Sequence, residues 1–199
     1  MLDFRVLGPL EVLADGESVE LGGQKQRVLL AILLLEANRV VASDRLIDAL
    51  WEEEPPETAQ KALQVYVSQL RKLLGKERLE TRAPGYLLRV EVGELDLERF
   101  RELYAAGRHV EALSLWRGAP LAEFGSQRFA RSEIARLDEL RLTCLEDRHD
   151  DDLAVGRHSE LVGELNALVG AQPLRQRLRG STGSKRLAAS VSRLSSRWL

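Results

Sequence analysis

Lys61, Gln64, Ser68 and Lys72 recur at intervals of three, four and four residues, so on a helix they form one stripe of ammonium, amide and hydroxyl donors. No carboxylate interrupts the stripe. Leu63, Val67, Leu70 and Leu74 recur at four, three and four, which gives the same segment an apolar face on another side. Donors on one side and a burial surface on the other suit a helix laid in the DNA major groove. There Gln pairs with adenine, Lys reaches guanine acceptors and Ser serves several bases. A plain solvated helix face has the same pattern, so the surrounding elements must decide between the two.

The segment, residues 57–74, has helix punctuation at both ends, Pro55-Pro56 before it and Gly75 after it. It also lies in a basic block. Residues 57–89 carry 7 Lys+Arg against 3 Asp+Glu, whereas residues 1–56 carry 5 against 11 and residues 90–172 carry 10 against 17. The net charge of −2 over 199 residues hides this pattern. A local cationic patch in an acidic chain is the electrostatic footprint of a phosphate partner. Cys144 is the only cysteine, which excludes an internal disulfide and fits a reducing, cytoplasmic, nucleoid-associated setting. No signal-peptide pattern opens the chain, and the longest apolar run, residues 28–35, is too short for a membrane span.

The elements that must position the stripe can be read in order. Residues 4–21 predict short strands, with a turn at Asp15-Gly16 and a break at Gly8-Pro9. Residues 24–37 predict a helix that is apolar around most of its circumference and therefore the most buried. Ser43 predicts an N-cap for a short helix over 44–51. The acidic Glu52-Glu53-Glu54-Pro55-Pro56 cannot be helical through its prolines. After Gly75, residues 78–82 and 86–90 predict a hairpin around Ala83-Pro84-Gly85. The order is small sheet, three helices and hairpin, which is the plan of a winged helix-turn-helix.

The phrases that carry a closer likeness are Leu-Leu-Leu-Glu-Ala-Asn-Arg-Val-Val-Ala-Ser-Asp-Arg-Leu-Ile-Asp-Ala-Leu-Trp, Val-Ser-Gln-Leu-Arg-Lys-Leu-Leu-Gly and the wing Thr-Arg-Ala-Pro-Gly-Tyr. Over residues 22–90 the chain resembles the OmpR-type winged helix. The opening Phe-Arg-Val-Leu-Gly-Pro-Leu-Glu-Val and the phrase Ala-Leu-Gln-Val-Tyr-Val-Ser-Gln-Leu-Arg are similar to the Streptomyces antibiotic regulatory protein family of transcriptional activators. That resemblance implies binding to direct repeats of double-stranded DNA upstream of a biosynthetic cluster. It also implies self-association along the DNA and recruitment of RNA polymerase.

Within this frame Lys61, Gln64 and Ser68 are the candidates for base contact, and Arg71 and Lys72 for phosphate. Thr58 caps the helix or donates to phosphate. Arg82 on the wing is a candidate minor-groove or phosphate contact. Gln24, Lys25 and Arg27 open the first helix, whose amide dipole adds to anion binding. Tyr66 is expected in the core against the wing. Glu52, Glu53 and Glu54 lie in the loop where OmpR-type activators touch RNA polymerase, although a solvated turn fits them equally.

Residues 93–179 predict a second, all-helical domain. Leu95, Leu97, Phe100, Leu103 and Tyr104 mark one helix, and Val110, Leu113, Leu115 and Trp116 a second. A long helix runs from about 126 to about 153. Residues 105–111 echo residues 154–160, each a Gly-Arg-His turn between helices, which suggests tetratricopeptide-like hairpins. The resembling family carries such a module, the bacterial transcriptional activator domain, directly after the winged helix. Residues 180–199 form a basic, Ser-rich tail expected to be disordered, and they read as a truncated or frame-shifted end of that domain.

The fold class is therefore mainly α with a small β component, divided into residues 1–92, 93–179 and 180–199. A helical protein-interaction module and a regulator that binds DNA without activating are the alternative functions. No phosphate-binding loop, Gly-x-Ser-x-Gly or paired metal-ligand spacing occurs, so no enzyme, cofactor or metal is expected. His109, His149 and His158 lack the spacing of metal ligands.

Overall fold

The computed structural model describes residues 1–52 and 54–154, of which residues 1–148 form one compact unit. Glu53 and the tail over 180–199 lie outside the described residues, as does the second copy of the Gly-Arg-His echo.

The chain opens with three antiparallel strands, β1 (Leu2–Arg5), β2 (Glu11–Ala14) and β3 (Glu17–Ser18). Asp15 and Gly16 both have positive φ, 51° and 91°, the conformation that a tight two-residue hairpin requires. Helix α1 (Gln24–Leu35) follows, and every residue from Val28 to Leu34 is buried. It is the central post of the core, as its nearly uniform apolar sequence requires.

A strand absent from the sequence reading comes next, β4 (Val40–Ala42). It pairs with the second strand of the wing and adds a third strand to that sheet. Helix α2 (Ser43–Trp51) places Ser43 inside its first turn. Ala42 occupies the N-cap position with no side-chain bond, so Ser43 is not the cap.

Helix α3 (Ala59–Leu74) begins two residues later than the sequence reading, with Thr58 at the N-cap and Gly75 at the C-cap. It packs on α1, α2 and β5. The wing is β5 (Leu79–Arg82) and β6 (Gly85–Leu88), in register Arg82 to Gly85 and Leu79 to Leu88. Gly85 is sterically required, because a Cβ there would lie 1.9 Å from the Val41 carbonyl oxygen of β4.

Helices α4 (Asp96–Ala105), α5 (His109–Ser114) and α6 (Arg128–Ala154) complete the described chain, with a 3₁₀ turn at Ala122–Phe124 before α6. Phe100, Trp116, Phe124 and Leu137 are buried, with Phe100 edge-on to Trp116 at 5.4 Å. No helix among the described residues is long and apolar enough to cross a membrane.

The first sheet is joined to α4–α6 through the loop over residues 6–10. Asp96, 2% exposed, accepts the Val6 amide at 2.9 and 3.0 Å and the Leu7 amide at 3.0 Å. Glu123 accepts the Leu10 amide at 2.9 Å, and Arg117 donates to the Pro9 carbonyl at 2.9 Å. Backbone groups in that loop would otherwise be buried without partners.

Candidate nucleic-acid interface

Helix α3 shows two faces. Ala59, Leu63, Val67, Leu70 and Leu74 are buried, while Lys61, Gln64, Ser68 and Lys72 are all exposed. None of those four polar side chains makes a hydrogen bond or ion pair with the described residues, and Ala59–Leu74 contains no acidic residue. Five buried apolar side chains therefore fix the rotation of the helix and leave its donors open to solvent. Thr58 is exposed at the N-cap, and its hydroxyl makes no capping bond.

Arg71 has a different post. Its Nε donates to the Leu79 carbonyl at 2.7 Å and its Nη2 to the Thr81 Oγ1 at 2.8 Å. The guanidinium thus pins the first wing strand to α3. Tyr66 is half-buried against the core and stacks on Trp51, at the end of α2, with the ring centroids 6.3 Å apart.

The basic start of α1 is mostly turned inward. Lys25 Nζ donates to the Leu50 carbonyl at 2.6 Å and lies 4.8 Å from the Trp51 ring centroid. Arg27 donates through Nε to Glu123 at 2.6 Å and through Nη2 to the Leu10 carbonyl at 3.0 Å. Both cations hold elements of the chain together. Gln24 remains exposed at the first position of the helix. Gln26 links the α1 N-terminus to α3 through Gln69.

On the wing, Arg82 Nε donates to Glu80 at 2.8 Å, and Arg89 Nε donates to the other Glu80 oxygen at 2.9 Å. The Arg89 and Arg82 guanidiniums hold the Glu80 carboxyl below the usual carboxylate range. Arg82 and Arg89 are each 54% exposed. At the base of the wing, Arg78 makes a bidentate pair with buried Glu94, at 2.7 and 2.9 Å.

Glu52 is exposed, yet its Oε1 accepts the Arg128 amide at 3.1 Å, at the N-terminus of α6, where a carboxylate is favoured by the helix dipole. It is therefore engaged within the chain as well as exposed. Glu54 is exposed.

Several residues that organise this region escaped the sequence reading: Glu80, Arg89, Arg78, Glu94, Asp96 and Glu123. The parallel bridge of Phe4 to Leu95 and the bonds around Asp96 join segments about ninety residues apart. No local periodicity reports such pairs. Among the described residues no group of His, Cys, Asp or Glu is arranged to hold a metal.

Residues 16–88 match the family described as transcriptional regulatory protein, C terminal, and residues 95–182 match the bacterial transcriptional activator domain. The regulatory protein AfsR of Streptomyces coelicolor is 42% identical over 193 residues, covering 89% of this chain and 19% of the relative. The regulatory protein DnrI of Streptomyces peucetius is 35% identical over 202 residues, covering 89% of this chain and 74% of the relative. A solved structure of Mycobacterium tuberculosis EmbR in complex with a low-affinity phosphopeptide matches with a TM-score of 0.80 and 38% identity, over 87% of this chain and 51% of that one. The chain thus spans about a fifth of AfsR and about half of EmbR.

Fold and matches together define an OmpR-type winged helix joined to a bacterial transcriptional activator domain, the architecture of a transcriptional regulator. Within that class, the chain belongs to the Streptomyces antibiotic regulatory protein family.

Proposed function

We propose that this chain is a sequence-specific DNA-binding transcription activator that reads the major groove with α3. One observation carries the proposal: an exposed, acid-free stripe of Lys61, Gln64, Ser68 and Lys72 on a helix whose other face is locked by buried leucines. The donors are unpartnered and preoriented, as base-edge recognition requires. Thr58 and Gln24, exposed at two helix N-termini, and Arg82 on the wing supply phosphate contacts around that face.

Family membership supports the finer reading: occupancy of direct repeats by successive protomers, upstream of a secondary-metabolite gene cluster, with RNA polymerase recruited by the bound array. Among the described residues of the α2–α3 turn, the exposed Glu52 and Glu54 are the candidates for the polymerase contact.

The test begins by selecting bound duplexes from a random pool with the full chain. Lys61→Ala and Gln64→Ala should each cost about 1–3 kcal/mol on the selected site and relax its sequence preference. Wild-type-like binding by both variants would remove α3 as the reading element. Affinity must also fall steeply with salt; a flat salt response would favour a protein-interaction role for the helical module instead.

A further inference from the structure

The wing carries an arrangement that a DNA contact alone does not explain. Glu80 and Arg82 are two residues apart on β5, so they share one face of the strand. Thr81 points to the other face, where Arg71 of α3 holds it at 2.8 Å. Glu80 receives Arg82 from the tip side through one carboxylate oxygen and Arg89 from the base side through the other. The guanidinium nearest the tip is thereby drawn back along the strand, away from the exposed Ala83-Pro84 turn.

We propose that Glu80 is an internal competitor for the DNA backbone: it holds Arg82 in the unbound chain and must surrender it to a phosphate when the wing engages. The inference rests on the DNA-binding reading above and assigns Glu80 a role in setting how strongly the wing grips any duplex.

The exchange is energetically accessible. Arg82 is more than half exposed, and solvent-exposed ion pairs are weak. Arg89 keeps its own bonds to Glu80 after Arg82 leaves, so the carboxylate is not stranded. The charge of Glu80 nevertheless stays beside the wing and opposes the phosphate that Arg82 reaches. Because the opposition acts on the backbone, it lowers affinity for cognate and random DNA alike. Neutralising one such charge is equivalent to about one more phosphate contact. With a log–log salt slope of about −0.9 per contact, that is a gain of about five-fold near 0.15 M salt.

The experiment uses the full chain, a selected-site duplex and a random duplex of equal length, titrated by fluorescence anisotropy at several salt concentrations. Glu80→Gln should bind both duplexes about five-fold more tightly, with a salt slope steeper by about 0.9. Glu80→Ala should reproduce the gain, and thermal melting of each variant should match wild type. In an Arg82→Ala background the gain should shrink, leaving only the repulsion between the Glu80 charge and the backbone. Unchanged or weaker binding by Glu80→Gln, or a gain undiminished without Arg82, overturns the proposal. A wild-type chain that binds both duplexes but is indifferent to Lys61→Ala and Gln64→Ala overturns the reading of α3 and leaves the wing result standing. A chain that binds no duplex overturns both.

Discussion

Removing the carboxylate of Asp96 should loosen the chain where its first sheet meets α4. Asp96 is 2% exposed and accepts two backbone amides, Val6 at 2.9 and 3.0 Å and Leu7 at 3.0 Å. Asp96→Ala strands both amides away from water, and each unsatisfied buried donor costs about 1–3 kcal/mol. The gross loss is about 2–6 kcal/mol. Part of it is offset, because wild type pays to bury a charge: burial raises the Asp96 pKa against the lowering effect of the two amides. A net loss of about 3 kcal/mol follows, which corresponds to about 6–12 °C in Tm for a chain of this size. Asp96→Asn keeps the shape and one accepting oxygen, so it should lose about half as much. The assay is urea and thermal unfolding of the full chain, followed by circular dichroism. An Asp96→Ala variant within about 0.5 kcal/mol of wild type, or an Asn variant as damaged as the Ala one, would refute the assignment of these bonds as the tie.

Three further outcomes can be checked on the same chain. Gly85→Ala places a methyl 1.9 Å from the Val41 oxygen and should destabilise by about 1–3 kcal/mol as β4 is displaced; a wild-type melting curve would contradict the close pairing of β4 with β6. Tyr104 donates to Asp147, and with partial burial this pushes its phenol up to about 12. A raised folded-state pKa contributes stability that is complete below the ordinary value of 10.0 and is lost as pH rises through about 12. The urea midpoints of wild type and Tyr104→Phe should therefore converge over that window, and a constant difference would contradict the bond. Cys144 is buried and its thiol is pushed up to about 11 by desolvation, so native chain should resist iodoacetamide at pH 8 and react once unfolded, as mass spectrometry would report.

The parts of the fold legible in the sequence are those whose signal is local. Leu63, Val67, Leu70 and Leu74 recur on one helical face, and burial follows that face. The uniformly apolar run over residues 28–34 marks α1 as the core helix, and Asp15-Gly16 marks the turn between β2 and β3. Strand β4 is only three residues long, and its partner β6 lies more than forty residues away, so neither periodicity nor length could reveal it. Ser43 has the chemistry of a cap, but the strand runs up to Ala42 and carries Ser43 into the first turn.

The candidate site divides in the same way. The stripe on α3 is a property of helix geometry and was legible. What was not legible is that Lys25, Arg27, Arg71 and Glu52 have partners within the chain, because a charged side chain declares nothing about its partner. Each meets one brought in by tertiary packing: Leu50, Glu123, the wing and the start of α6. Glu80 lies within the basic block, and only the pairing of β5 with β6 brings Arg89 to it.

The loop over residues 6–10 has a consequence for how such regulators can be recombined. Its backbone is held by side chains from beyond residue 92, Asp96, Arg117 and Glu123, and Glu123 also anchors Arg27 of α1. A winged helix cut off at residue 92 would leave those amides and carbonyls without their partners and free the base of its central helix. Chimaeras that exchange one winged helix for another therefore need a junction beyond the 3₁₀ turn at Ala122–Phe124. The exchangeable module is longer than the DNA-binding fold it contains.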